Sequence, residues 1–370
     1  MSDGPLQGVK VLEFASIGPG PFAGMMLSDM GAEVLRIERM GASDPIPERF
    51  DARGRLAIEL DLKQPHTVQL CLALCEHADI LIEGNRPGVM ERLGLGPDVV
   101  LARNPRIMYG RMTGWGQSGP YASHAGHDIN YLSLSGALHA IGVENKPLPP
   151  LNLAADYGGG AMVLMAGLLA GMIHARATGQ GQVVDAAMTD GAAYLMTHFY
   201  GMHAAGRWSD RRRSNVLDGG APFYDTYQCA DGKWFSVGAL EPKFYALLLE
   251  KLELTELLPQ PQMERASWHE IRKTLTEVFA TRTQREWCRL LEHTDACFAP
   301  VLSIAEASQH AHNRARDTFV AADGIVQPAP APRFSKTPSR VPSPPAAIVR
   351  DTRLALEAWG VGAETLEMLA

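Results

Sequence analysis

The sequence predicts an α/β fold: a doubly wound large domain with a parallel sheet, followed by a smaller α+β domain. Three observations carry this reading. Strand-like and helix-like runs alternate through the first half of the 370 residues. A glycine- and proline-rich turn separates the first strand from the first helix. From about residue 216 the alternation gives way to a hairpin followed by helical segments.

"GVKVLEFA" followed by "SIGPGPFAGMMLSDMGAEVLRIER" reads as strand, Gly/Pro loop, helix and strand, a βαβ unit whose two strands run parallel. The pattern recurs in helix-like "HTVQLCLALCEHA", strand-like "DILIEG", helical "GVMERLGLG" and "PDVVLARN", and the strand "RIMYGRMTG". "DYGGGAMVLMAGLLAGMIHARATGQG" is a long apolar helix whose small residues let neighbours approach, leading into the strand "QVVDAAM" and a further helix. "APFYDTYQCADGKWFSVGA" is a hairpin around Asp231-Gly232. "QPAPAPRFSKTPSRVPSPPA" is too proline-rich for helix or sheet and should run extended over the surface before a last helix, "TRLALEAWGV". The expected divisions are a large domain over 1–188, a helical linker over 189–215 and the small domain over 216–303. A return linker over 304–332 and a terminal segment over 333–370, packing on the large domain, complete them.

Composition narrows the functional classes. With 46% apolar residues the chain can bury a large core. Its net charge of −7 argues against nucleic-acid or anionic-membrane binding unless positive charge is locally concentrated. The first residues lack a basic-then-apolar signal, the last differ from a serine-lysine-leucine address, and no run approaches the ~20 apolar residues of a membrane span. A cytoplasmic protein is therefore expected. The five cysteines form neither a disulfide framework nor a zinc pattern, and Cys71 and Cys75, four apart, read as one buried helix face.

"GPGPFAG" follows a strand and opens a helix, with Glu38 closing the next strand, as a dinucleotide loop would. Its glycines 18, 20 and 24 are misspaced, and Pro19 and Pro21 remove donors that could hold a pyrophosphate. A structural turn is the stronger reading. Arg36, Arg39, Arg53, Arg55, Lys63, Arg86 and Arg92 cluster near predicted strand ends, where an open α/β sheet binds ligands. They form either a solvated face or a site for a phosphate-rich polyanion.

His127 and Asp128 stand where "DINYLSLSGALHAI", with apolar residues at 129, 132, 134, 138 and 141, begins an amphipathic helix. A histidine there can exchange a proton near neutrality, and the first amides of the helix, including that of Asp128, can stabilise a developing oxyanion. The structural alternative is Asp128 as helix cap and His127 as loop. His124 and His127 form H-x-x-H without further ligands, so no metal is expected. Asp156 and Glu241 also stand at loop-to-helix junctions, Glu241 just before Pro242. One histidine and two carboxylates suit acid/base chemistry if they share a cleft, which spacing alone does not establish.

Quoted in order, "ASIGPGPFAGMMLSDMGAEVLRIER", "DLK", "EGNRPGVMERLGLG", "RMTGWGQSGP", "GHDINYLSLSGALHAIG", "NLAADYGGGAMVLMAGLLAG", "GQGQVVDAAMTDG" and "ADGKWFSVGALEPKFY" span most of the chain. Together they resemble the α-methylacyl-CoA racemases within the type III CoA-transferases, the group of formyl-CoA and carnitine-CoA transferases. The resemblance implies a Rossmann-like large domain, a small domain and an intertwined homodimer with the active site between subunits. It implies that Arg39, Lys63, Arg86 and Arg92 bind the pyrophosphate and adenosine of CoA, with no cofactor beyond the CoA moiety of the substrate. It places the catalytic histidine at His127, the catalytic aspartate at Asp156 and a supporting glutamate at Glu241, reaching the histidine from the other subunit. The implied reaction is 1,1-proton transfer between the epimers of a 2-methylacyl-CoA through an enolate. The rival within the family is a CoA-transferase in which Asp156 is the nucleophile; a silent acyl-CoA-binding protein is a further alternative.

Overall fold

The computed structural model describes residues 4–322, 324–342 and 344–367. The chain divides into two compact units. The first comprises Met1–Ser135, Pro150–Met196 and Ala315–Ala370; the second comprises Gly136–Pro149 and Thr197–Arg314.

The first unit is built on six parallel strands, β1 (Lys10–Phe14), β2 (Glu33–Glu38), β3 (Leu56–Glu59), β4 (Ile80–Glu83), β5 (Met108–Thr113) and β6 (Gln182–Ala187). Their spatial order is β3-β2-β1-β4-β5-β6, so the winding reverses between β1 and β4. Helices covering such a sheet leave its central strands no polar face, which is why β4 reads Ile-Leu-Ile and all three are fully buried. β3 is a strand that the sequence reading did not anticipate, short and preceded by arginines rather than by apolar residues. Proline opens α1 (Pro19–Asp29), α2 (Pro65–His77) and α4 (Pro97–Arg103), where its missing N–H costs nothing, and α3 (Val89–Arg92) is a single turn. Leu70, Cys71, Leu74 and Cys75 of α2 are fully buried against the sheet, and all five cysteines are free.

The amphipathic run from Asp128 is shorter than its apolar spacing suggests. α5 covers Asp128–Leu134, and Gly136 at φ 81° ends the continuity before a separate turn at Ala137–Ala140. The long apolar helix has two parts. Leu153–Met162 is π-helical, with the Tyr157 N–H reaching back five residues to the Asn152 carbonyl at 3.3 Å, and α6 (Val163–Thr178) continues it as an α-helix. At 26 residues this continuous helix is long and apolar enough to cross a membrane, contrary to the expectation that no segment is. It packs on β5 and β6 with half of its most apolar stretch buried, as a core helix does. α7 (Met188–Leu195) follows β6 directly and packs backbone to backbone on the π-helical turn. A Cβ on Gly191 would lie 1.8 Å from the Gly159 carbonyl oxygen, and one on Gly159 would lie 2.6 Å from the Ala192 nitrogen.

The proline-rich stretch beyond Pro328 forms no regular element in its described residues until Val349 bridges Ile58 of β3. The last anticipated helix forms at Thr352–Ala358 and buries Leu356 in the core.

The second unit has its own core around Phe223, Phe235, Phe279 and Trp287. The expected hairpin is present: β7 (Tyr224–Gln228) pairs antiparallel with β8 (Trp234–Gly238), and β9 (Phe298–Val301), a strand not anticipated, pairs with β8 on its other side. The helices Pro242–Lys251, Trp268–Phe279 and Gln284–Leu291 complete it. The division differs from the anticipated boundaries at three places, one being the anticipated return linker 304–332, whose residues up to Arg314 fall in the second unit and those from Ala315 in the first. Residues 136–149 belong to this unit because Arg212 donates to the carbonyls of His139, Val143 and Glu144 at 2.8–3.2 Å, clasping a segment far from it in sequence. The anticipated linker 189–215 is split, with α7 in the first unit and Thr197–Ala204 in the second.

Candidate active site

Two connections at the carboxyl edge of the sheet frame the candidate acid/base residues His127 and Asp156. The first is the turn after β1. Gly18 adopts φ +68° as Pro19 starts α1, and a Cβ on Gly18 would stand 3.3 Å from Asp156 Oδ2. The proline-glycine turn, misspaced for a dinucleotide, therefore ends against a carboxylate. Glu38, which a ribose would need, is instead hydrogen-bonded to Arg36 Nε at 2.5 Å.

The second connection follows β5. Trp115 stacks obliquely on Tyr121 at 5.1 Å and meets Tyr131 edge-on at 4.8 Å, so the loop arrives at α5 with aromatic support. His127 takes the N-cap position in extended conformation, its N–H donating to Asn130 Oδ1 at 3.0 Å. The imidazole is exposed. The N–H of Asp128, first of the helix, finds no acceptor among the described residues, which leaves it available to a ligand oxygen.

Asp128 does not cap its own helix. Its side chain is buried, and Oδ2 accepts the N–H groups of Ala155 and Asp156, each at 2.8 Å. The carboxylate thus satisfies the opening amides of the π-helical turn and ties the element bearing Asp156 to the one bearing His127. Burial raises the Asp156 pKa above the ordinary carboxylate value, the Asp128 carboxylate raises it further, and an Asn152 hydrogen bond and His127 oppose the rise. Tyr131 belongs to this group although the sequence reading did not single it out. Its phenol pKa is pushed up to about 12 by burial, then by the carboxylates of Asp156 and Asp128. A tyrosine one turn beyond a candidate histidine was the available signal.

Glu241 lies in the second unit as the N-cap of Pro242–Lys251, exposed, its carbonyl accepting the Phe244 and Tyr245 N–H groups. Its negative charge raises the pKa of the Cys297 thiol, after the larger effect of burial.

The seven basic residues separate into two classes. Arg55 is buried and donates to both Glu13 oxygens at 2.7 and 2.9 Å; Arg36 pairs with Glu13 and Glu38; Arg53 donates to Asp29 at 2.5 and 3.1 Å and to Gln327 at 2.6 Å. These three are occupied by structural carboxylates and are not free for a polyanion. Arg39, Lys63, Arg86 and Arg92 are exposed and make no ion pair among the described residues. Arg39 directly follows β2, Lys63 lies four residues past β3, and Arg86 three past β4, on the edge where such sheets bind ligands.

The sequence from residue 6 to 352 matches the model of CoA-transferase family III. The chain belongs to that family. Among relatives in CoA-transferase family III, the α-methylacyl-CoA racemase of Mus musculus is 48% identical over 342 residues, covering 91% of this chain and 88% of that one. The α-methylacyl-CoA racemase of Homo sapiens is 44% identical over 345 residues, with the same coverage. The crystal structure of Rv3272 from Mycobacterium tuberculosis superposes with a TM-score of 0.80 at 26% identity, covering 96% of this chain and 99% of that one.

Proposed function

We infer that the chain is a racemase of 2-methylacyl-CoA thioesters, removing the α-proton from either epimer and returning one to the opposite face. The observation that carries the reading is the tie at the carboxyl edge of the sheet: Asp128, next to His127 at the start of α5, accepts the Ala155 and Asp156 N–H groups at 2.8 Å each and so joins the segments that bear His127 and Asp156. High identity to the two mammalian racemases over most of the chain supports it.

The chemistry follows from the thioester. Deprotonation at the α-carbon gives an enolate with its charge on oxygen, and the Asp128 N–H at the start of α5, which meets no acceptor among the described residues, receives that oxygen. Such a donor lowers the barrier by about 3 kcal/mol. Inversion requires two groups on opposite faces; His127 and Asp156 fill those roles, and the raised pKa of Asp156 brings it nearer to imidazole, so that either can give or take the proton. Arg39, Lys63, Arg86 and Arg92 hold the phosphates and adenosine of CoA, and no cofactor beyond that moiety is needed. Glu241 supports His127 from the partner of an intertwined homodimer. Exposed apolar side chains on the first unit, among them Leu134, Ile173 and Leu195, are consistent with a surface that pairs.

The second reading is CoA transfer with Asp156 as nucleophile, favoured by the family's name but not by a histidine beside the carboxylate. A single-epimer 2-methylacyl-CoA incubated in heavy water separates the two. Racemisation with deuterium at the α-carbon is the expected result; CoA exchange that depends on an added carboxylate acceptor, without α-deuterium, would establish the transferase. Asp156→Asn should abolish racemisation and leave CoA binding intact.

A further inference from the structure

Glu83, the last residue of β4, is almost fully buried and has no part in the proton transfer just described. Its Oε2 accepts the N–H of Asn85 at 2.7 Å, closing the turn that leaves the sheet where the winding reverses. Its other oxygen faces Arg111 Nε at 3.4 Å, across the β4–β5 register in which the two residues are opposite. Arg111 in turn donates to Glu91 of α3 and to Gln117 at 2.8 Å, on the loop that runs toward His127. The Asn85 amide also reaches Met90 Sδ at 3.3 Å. One carboxylate and one guanidinium therefore bracket the segment 84–92, and Arg86 and Arg92 project from that segment.

We propose that Glu83 is a positioning residue for CoA binding, fixing through Asn85 and Arg111 the turn from which Arg86 and Arg92 address the phosphates. The inference rests on the reading that those two arginines contact CoA. Hydrogen bonds that hold a loop in its bound form raise affinity by removing the ordering cost from the binding step. Loss of Glu83 therefore weakens binding without touching the groups that move the proton.

The bracket is also sensitive to pH. Burial lifts the Glu83 carboxyl to about 7, with Glu91 adding to the rise; the Asn85 N–H and the Arg111 guanidinium oppose it, and Tyr109 on β5 is a further titratable neighbour. Above that value the carboxylate faces Arg111 as an ion; below it the attraction is lost.

The test measures the affinity of the full-length protein for 3′-dephospho-CoA, whose pyrophosphate does not titrate in this range, by calorimetry between pH 6 and 8.5. Wild type should bind more tightly as pH rises through about 7. Glu83→Gln, which keeps the acceptor for Asn85 but not the charge, should bind about tenfold more weakly at pH 8.5, with a flat profile and a kcat at saturating thioester within about twofold of wild type. A wild-type profile flat across the range overturns the proposal whether or not the variant folds. So does wild-type affinity in Glu83→Gln, or a pH dependence that persists in it. Arg92→Ala measured alongside separates the premises: undiminished affinity there would refute the assignment of the arginines, whereas weakened binding in Arg92→Ala beside unchanged binding in Glu83→Gln would refute the role of Glu83 alone.

Discussion

Asp128 holds Asp156 by the main chain: one buried oxygen accepts the N–H groups of Ala155 and Asp156 at 2.8 Å each. The same carboxylate raises the pKa of the Asp156 side chain. Asp128→Ala should leave two amides unsatisfied at a buried junction, destabilising the fold by about 1–3 kcal/mol and lowering kcat, as read by denaturant titration and the racemisation rate. Asp128→Asn keeps an acceptor and removes the charge, so the acid limb of the pH–rate profile should move to lower pH as the Asp156 pKa falls. An unmoved limb would separate Asp128 from the electrostatics of the site.

Gly18 is the second lever on Asp156. Its positive φ costs about 1–2 kcal/mol for any L side chain, and an added Cβ would stand 3.3 Å from Asp156 Oδ2. Gly18→Ala should lower kcat at least tenfold while leaving the affinity for CoA nearly unchanged. Steady-state kinetics against a calorimetric CoA titration checks the split.

Each of Arg39, Lys63, Arg86 and Arg92 should, on substitution by alanine, raise KM by roughly tenfold or more with little change in kcat, since a hydrogen bond to a charged group is worth about 1.5–3 kcal/mol. The effect should shrink as salt is added. Arg53→Ala should behave differently. It strips a buried carboxylate, Asp29, of its partner and should destabilise the first unit by about 3–5 kcal/mol, visible in denaturant unfolding rather than in KM.

Stability should also depend on pH through Glu83. Its folded pKa lies above that of an unfolded carboxyl, so the fold holds this proton more tightly and gains stability from it at low pH. That contribution is complete below the unfolded value and is lost as pH rises from the ordinary carboxylate range through about 7. Denaturant midpoints between pH 5 and 8 should fall more steeply in wild type than in Glu83→Gln.

The sequence by itself determined the alternation of parallel strands and helices, because strands buried on both faces must be written as continuous apolar runs such as Ile80-Leu81-Ile82. It also determined the helix starts at Pro19 and Pro65 and the hairpin around Asp231-Gly232, since these are set by local chemistry. The candidate residues His127, Asp156 and the basic cluster were legible as types at loop-to-helix junctions and strand ends. Only the tertiary structure decided which arginines are engaged by buried carboxylates and which stand exposed, because a guanidinium carries no mark of its partner: Arg53 meets Asp29 and Gln327, the latter 274 residues away. Only it decided that Asp128 caps a helix other than its own and that the space beside Gly18 opens onto Asp156. Those relationships join segments remote in sequence, and their energy comes from desolvation and close approach, which no local pattern encodes.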